Sequence, residues 1–220
     1  MLPEDFIEWA YFGRVKALKK LLSGDIDSGK FIIEMTRHTP VLCTARVLKD
    51  GSVFVNAKVV GAGFVPKYHL LRDVITKLRT YIARSSNTSI EEYRKEGLKL
   101  LLDTIYFDDR ERAYENIDFE KIAMLEIASK IPWSSKHTWK NLQENKRVCL
   151  LYYMPPTISF ELHGTVEVYT NGPYYEYVNL VHDIYHNPKS GRSSYPCLIM
   201  RVEEVYDNSP SSKGFGKRLS

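Results

Sequence analysis

Two runs of strand-forming residues, PVLCTARVL at 40–48 and VFVNAKVV at 53–60, are separated by four residues, KDGS. Four residues leave no room for a crossover helix, so two such runs have to pair antiparallel. Asp50-Gly51 supplies the positive φ angles that a tight hairpin turn requires. This excludes an all-helical bundle and a purely parallel sheet. The chain from Phe31 to Val60 is rich in Val, Ile and Thr and reads as β-structure throughout, ended by GAGF at 61–64 and Pro66.

Other segments change period. Residues 4–22 read as an amphipathic helix, with Phe6, Ile7, Trp9, Ala10, Val15, Leu18, Leu21 and Leu22 at helical spacing and Ser23-Gly24-Asp25 as its stop. Residues 68–84 repeat that spacing through Leu71, Val74, Ile75 and Leu78. Ser89 followed by Glu92 forms a capping box that opens a further helix with Tyr93, Leu98, Leu101, Leu102 and Ile105. These two helices make a hairpin that continues through the charged stretch 108–121.

Strands resume at KIAMLEIAS (121–129), RVCLLYYM (147–154) and ISFELHGTVEVYT (158–170). NGP at 171–173 starts a helix through Tyr174, Tyr177, Val178, Val181 and Ile184, and YPCLIMRVEEVYD (195–207) is the last strand. The count is six strands and four helices. Hairpin connections and the need to protect strand edges predict a mainly β fold with α: a six-stranded antiparallel barrel, closed or nearly so, with an N-terminal helix and an inserted helical hairpin. One domain over 1–220 is expected, with the insertion at about 66–118, since no linker-like composition interrupts the chain.

Composition narrows the class. With 44% hydrophobic and 26% charged residues, the chain matches ordinary globular proteins, and no apolar run approaches the roughly 20 residues a membrane helix needs. The first 20 residues are too acidic for a signal peptide, which predicts a cytoplasmic protein. Cys43, Cys149 and Cys197 are odd in number and lie in apolar runs, as buried thiols do. A net charge of +4 is spread along the chain without a dense basic block, so nucleic acid is not the expected partner.

Chemistry-bearing residues concentrate in PWSSKHTWKNLQENKRVCLLYYMPP, 132–156. The hydroxyls of Ser134, Ser135 and Thr138, with Lys136 and Lys140 near a helix start, are groups that bind phosphate. They are equally the groups of a solvated loop and a helix cap. His182 and His186 are four apart but lack the carboxylate of a metalloprotease pattern, and they read as a surface or packing pair. His163 precedes Gly164, a position where another backbone or ligand approaches closely. Glu203 and Glu204 are sequence neighbours that read as solvated and pointing apart. Gly-rich phosphate loops and nucleophile elbows are missing, and no catalytic set can be named.

Read in order, several stretches resemble the pyridoxamine 5'-phosphate oxidase-like, FMN-binding split-barrel family. They are TPVLCTARVLKDGSVFVNAKVV, KNLQENKRVCLLYY, ELHGTVEVYTNGPYYEYVNLVHDIYH and LIMRVEEVYDNSPSSKGFGKRL. The resemblance covers about 31–64 and 121–220 and implies a homodimer with FMN at the subunit interface, acting on a small-molecule substrate as a flavin-dependent oxidoreductase. FAD, a deazaflavin or haem rank behind FMN, the last through His163. Carried over, the cofactor-binding residues are Ser134, Ser135, Lys136, Thr138, Trp139 and Lys140, with Trp133 or Trp139 against the ring. The family pattern Ser-x-Lys-x-x-Asn-Leu, counted back from Asn141, puts Thr138 at the lysine position and Lys136 at the serine position, which leaves the phosphate lysine open between Lys136 and Lys140. A non-catalytic split barrel that acts through its helical insertion is the alternative.

Overall fold

The computed structural model describes residues 1–25, 28–85, 87–126, 131–187, 191–212 and 214–220, excepting the side chains of residues 28 and 31. Eight strands make one antiparallel sheet: β1 (Val41–Val47), β2 (Val53–Val59), β3 (Gly61–Pro66), β4 (Ile117–Leu125), β5 (Arg147–Met154), β6 (Ile158–Tyr169), β7 (Cys197–Asp207) and β8 (Lys217–Arg218). Their order is β2-β1-β5-β6-β7-β4-β3, with β8 beside β7.

The hairpin forms as the sequence predicts. Its register runs from Val47↔Val53 to Val41↔Val59, Gly51 takes φ 83°, and Leu48 N donates to Ser52 O at 2.8 Å. Eight strands, however, replace the expected six. The GAGF stretch does not break the strand but becomes β3, and the tail adds β8. Glycines and a proline are tolerated there because β3 is an edge strand, paired only with β4.

β2 and β3 stand at opposite ends of the sheet, yet only Val60 separates them in sequence. One chain segment therefore bends at Val60 and supplies both edges, which forces the sheet to curl round. No ladder joins β2 to β3, so the result resembles a split barrel and is not a closed one.

The interior is filled from the N-terminus. α1 (Glu4–Ile7), a π-helical turn (Glu8–Phe12) and α2 (Gly13–Ser23) run on as one helix. It is not simply amphipathic: Phe6, Ile7, Trp9, Ala10, Tyr11, Phe12, Arg14, Val15 and Leu18 are all buried, as befits a helix enclosed on several sides. Phe6 meets Tyr152 and Phe160 edge-on at 5.2 and 5.4 Å, and Tyr11 meets Phe64 and Phe119, both at 5.1 Å. Four strands thus share one plug, each large ring contributing about 1.5–3 kcal/mol by burial.

Residues 28–38 correct another expectation. In place of extended chain they form α3 (Ser28–Met35) and a 3-10 turn (Thr36–His38). Arg37 fastens this turn to the plug by donating from Nε to Trp9 O at 2.8 Å, and it pairs with Glu34 one turn back. Those contacts override the β preference of the isoleucines.

Between β3 and β4 lie a 3-10 turn (Tyr68–Leu70), α4 (Leu71–Arg84), α5 (Ile90–Thr104) and α6 (Arg110–Asn116). Ser89 and Asp109 cap α5 and α6 by accepting from Glu92 N and Arg112 N. β4 begins at Ile117, inside the stretch read as charged and helical, while the end of the predicted 121–129 strand lies outside the described residues. The inserted helices rest on α8 (Gly172–His186): Tyr93 donates to Asp183 O at 3.1 Å, and Arg79 Nε donates to Glu176 at 2.9 Å. α8 in turn reaches the sheet through Tyr177, which donates to Phe64 O at 2.7 Å.

Candidate functional site

The segment singled out above joins β4 to β5 as a 3-10 turn (Trp133–Ser135) and α7 (His137–Glu144). Thr138, Asn141 and Leu142 are buried, which sets the face that α7 lays on β1 and β2. Asn141 Nδ2 donates to Thr44 O at 3.1 Å and to Thr44 Oγ1 at 3.0 Å. Asn145 Nδ2 donates to Ala45 O at 3.2 Å while its Oδ1 accepts from Arg147 N at 3.0 Å. The asparagines of KNLQEN therefore clamp the turn to β1 and launch β5. Asn56 of β2 donates to Thr138 Oγ1 at 3.2 Å, and His137 packs edge-on against Phe54.

Lys136 turns inward. It is 8% exposed, and its Nζ donates to Glu126 O at 3.2 Å and lies 3.8 Å from Glu126 Oε1. That same oxygen meets Lys58 Nζ at 2.5 Å, so two ammonium groups share one buried carboxylate. Burial lowers the Lys136 pKa, Glu126 opposes the shift and Lys58 adds to it. The Trp133 ring lies 4.8 Å from Lys136 Nζ and meets Trp139 edge-on at 5.9 Å.

The remaining candidates face outward: Ser134, Ser135 and Lys140 are exposed, Trp139 is half-buried, and Thr138 is buried against Asn56. The fold thus gathers Lys136 with Trp133 beneath the turn and leaves the two serines and Lys140 on its surface. Two groups join the site that sequence reasoning passed over, Lys58 and Glu126. Glu126 carries a visible signal, since it is the single charge in AMLEIA, and a lone carboxylate in an apolar run has to find a buried partner.

Among the described residues the start of α7 is bare: its N-cap is Lys136, which makes no side-chain capping bond, and no described side chain accepts from the first-turn amides of residues 137–139. Among the described residues nothing accepts from the buried Trp133 Nε1 or donates to Glu126 Oε2. Uncapped amides, two outward hydroxyls and Lys140 one turn along are the donor set an anionic group requires.

A second polar cluster lies on the outer face of β6. At the His163/Gly164 step the β6–β7 register shifts, with His163 opposite Glu204 and Gly164 opposite Val202. Gly164 sits so close to β7 that a Cβ there would fall 2.0 Å from Arg201 O, the close approach the glycine had suggested. The bulge also brings Glu203 and Glu204 to one partner: Arg147 Nη1 meets Glu203 at 2.7 Å and Nη2 meets Glu204 at 3.4 Å. They do not point apart, as strict alternation would demand.

In the plug, Arg14 is 1% exposed, and among the described residues no carboxylate lies beside it. Nη1 donates to Tyr106 Oη at 2.8 Å, Nη2 to Arg37 O, and the guanidinium lies 5.4 and 5.7 Å from the Tyr106 and Phe64 rings. Burial and the charges of Arg14 and Arg37 push His38 well below the usual histidine range.

No protein-family model matches the sequence, and no curated protein sequence matches it. Among solved structures, HupZ of Group A Streptococcus is similar at 11% identity and TM-score 0.41, covering 89% of this chain and 100% of its own. A putative pyridoxamine 5'-phosphate oxidase from Listeria innocua is similar at 11% identity and TM-score 0.41, covering 82% of this chain and 98% of its own. An FMN-binding protein from Syntrophomonas wolfei is similar at 12% identity and TM-score 0.39, covering 94% and 95%. What this chain binds has to come from its own residues.

Proposed function

We propose that this chain binds a phosphate-bearing flavin, FMN ahead of FAD or a deazaflavin, and that its phosphate arm lies at the start of α7. The observation that supports this most is the uncapped N-terminus of α7, set directly behind the exposed Ser134 and Ser135 and one turn before Lys140. Ser134, Ser135, Lys140 and the amides of 137–139 would hold the phosphate. Lys136 would add its charge from beneath while remaining tied to Glu126. Trp139, half-buried at the same turn, offers a ring edge to the isoalloxazine. When bound, the flavin supplies the electron transfer, and the protein supplies position and charge.

The test is titration with FMN and with riboflavin, followed by flavin fluorescence. Lys140→Ala should weaken FMN by about 1.5–3 kcal/mol, the loss expected of one charged hydrogen bond. It should leave riboflavin, which has no phosphate, unchanged. Absence of any quenching with FMN, FAD and a deazaflavin would sink the reading. One observation favours a second reading in that event: Glu126 neutralises Lys136 from within the protein, as expected of a split-barrel interaction protein without a cofactor.

The reading includes a homodimer. The outward face of β1 and β2 is apolar, and Val47, Val53, Val55 and Val59 are 59–63% exposed along it. Such a stripe on an edge hairpin favours a second copy of the chain. Val55→Lys should shift the species seen by light scattering from dimer to monomer, whereas an unchanged mass would remove this face from the proposal.

A further inference from the structure

The outer faces of β1, β5 and β6 carry a row of soft and borderline ligands. Cys43 of β1 is the register partner of Cys149 of β5, and Cys149 is the partner of His163 of β6. Direct partners on adjacent antiparallel strands present their side chains on the same face. Glu161 lies two residues before His163, also on that face. The ligand atoms of Cys149, Glu161 and His163 all fall within 4.8 Å of one another.

We infer that Cys149, Glu161 and His163 form a binding site for a divalent transition-metal ion, zinc by the chemistry of the set, at the surface of β5 and β6. One sulfur, one imidazole nitrogen and one carboxylate oxygen are the donor types zinc takes. Tetrahedral zinc places such donors about 3.3–3.8 Å apart, so side-chain rotation closes the set without moving the strands. His163 Nε2 and Glu161 Oε1 now share a hydrogen bond of 2.5 Å, which the ion would replace. On binding, the Cys149 thiol gives its proton to solvent and the thiolate takes its place on the metal.

Support around the ligands is already in place. Asn208 Nδ2 donates to Glu161 Oε2 at 2.8 Å, leaving Oε1 for the ion. Tyr206 packs edge-on against the His163 ring at 5.8 Å. The bulge at His163/Gly164 and the tight passage of Gly164 over Arg201 O hold the imidazole's strand in position. The His163 and Glu161 side chains are 31% and 33% exposed, so ions enter from solvent and the fourth coordination position stays open.

The experiment is equilibrium dialysis of the full chain against zinc, with bound metal counted by elemental analysis, and a parallel cobalt(II) titration read by absorbance. One zinc per chain and a thiolate-to-cobalt charge-transfer band are expected. Cys149→Ser should abolish the band, His163→Gln should lower affinity by far more than tenfold, and Asn208→Ala, which only orients Glu161, should weaken binding about 10–100-fold. Circular dichroism shows whether each variant is folded. The His182 and His186 rings, 4.5 Å apart, are the competing adventitious site, so His186→Gln should bind as the parent does. Metal retained by Cys149→Ser, or lost on His186→Gln, would overturn the assignment, as would less than one-tenth of an ion per chain.

Discussion

Arg14 and Lys136 are both buried cations, and the molecule holds them in opposite ways. Lys136 has a counter-charge, since Glu126 sits beneath it and is shared with Lys58. Arg14 has none. It is held by a phenol oxygen, a backbone carbonyl and two aromatic faces, inside a plug of helix that four strands enclose. A compact ammonium is strongly hydrated, and its desolvation calls for a full opposite charge. A planar guanidinium spreads its charge, and here neutral acceptors meet its two terminal nitrogens and rings meet its face, while the buried Nε has no hydrogen-bond partner among the described residues. The difference is one of consequence as well as geometry, because removing Arg14 leaves only neutral partners unpaired, whereas removing Glu126 leaves two ammonium groups without their counter-charge.

That contrast can be broken most directly at Glu126. Glu126→Gln leaves two ammonium groups facing a neutral amide, and unfolding in denaturant should show a loss of about 3–5 kcal/mol. Adding Lys136→Met should recover much of it, because the stranded charge goes as well. A double variant no better than the single would mean that Glu126 acts by packing.

A smaller effect is expected at Arg14. Arg14→Met orphans the Tyr106 hydroxyl and the Arg37 carbonyl and leaves no unpaired charge, so the cost should be about 1–3 kcal/mol. A loss larger than that of Glu126→Gln would reverse the comparison and place the weight on the rings that grip the guanidinium.

The smallest effect concerns pH. His38 sits by Arg14 and Arg37, and burial together with their charges holds its folded pKa well below the ordinary histidine value of about 6.5. Below pH 6.5 the unfolded chain takes up a proton that the folded chain refuses, so stability falls as the solution is acidified and is unaffected above it. The slope should not exceed about 1.4 kcal/mol per pH unit for this one group. His38→Gln should flatten the midpoint-against-pH curve between pH 6.5 and 5 by that amount; an unchanged curve would show that other groups carry the acid response.

Much of the architecture is written in local patterns. KDGS between two alternating runs specifies the β1–β2 hairpin, RVCLLYYM coincides with β5, and Ser89 with Glu92 marks the start of α5. These are short-range effects, in which turn chemistry, period and capping act within a few residues. β3 was hidden because its two glycines look like a break, and only pairing with β4 at an edge makes them tolerable. The helix at 28–35 was hidden because its anchor, Arg37 on Trp9 O, comes from a distant part of the chain.

The candidate site divides in the same way. The sequence located the α7 segment, its hydroxyls and its lysines, because those residue types cluster within ten positions. It could not say which lysine faces out. Lys136 turns in because β2 and the end of β4 bring Lys58 and Glu126 to it from 78 and 10 residues away, whereas Lys140, one turn along α7, meets solvent. Likewise, the order of residues shows Cys43, Cys149, Glu161 and His163 as four unrelated positions, and strand register makes them one row. By itself, then, the sequence determined the elements and the chemistry each segment carries, because period, turns and caps are local. The direction of each charged side chain and the partner it meets were decided by tertiary structure, because buried charge is satisfied by groups from distant parts of the chain.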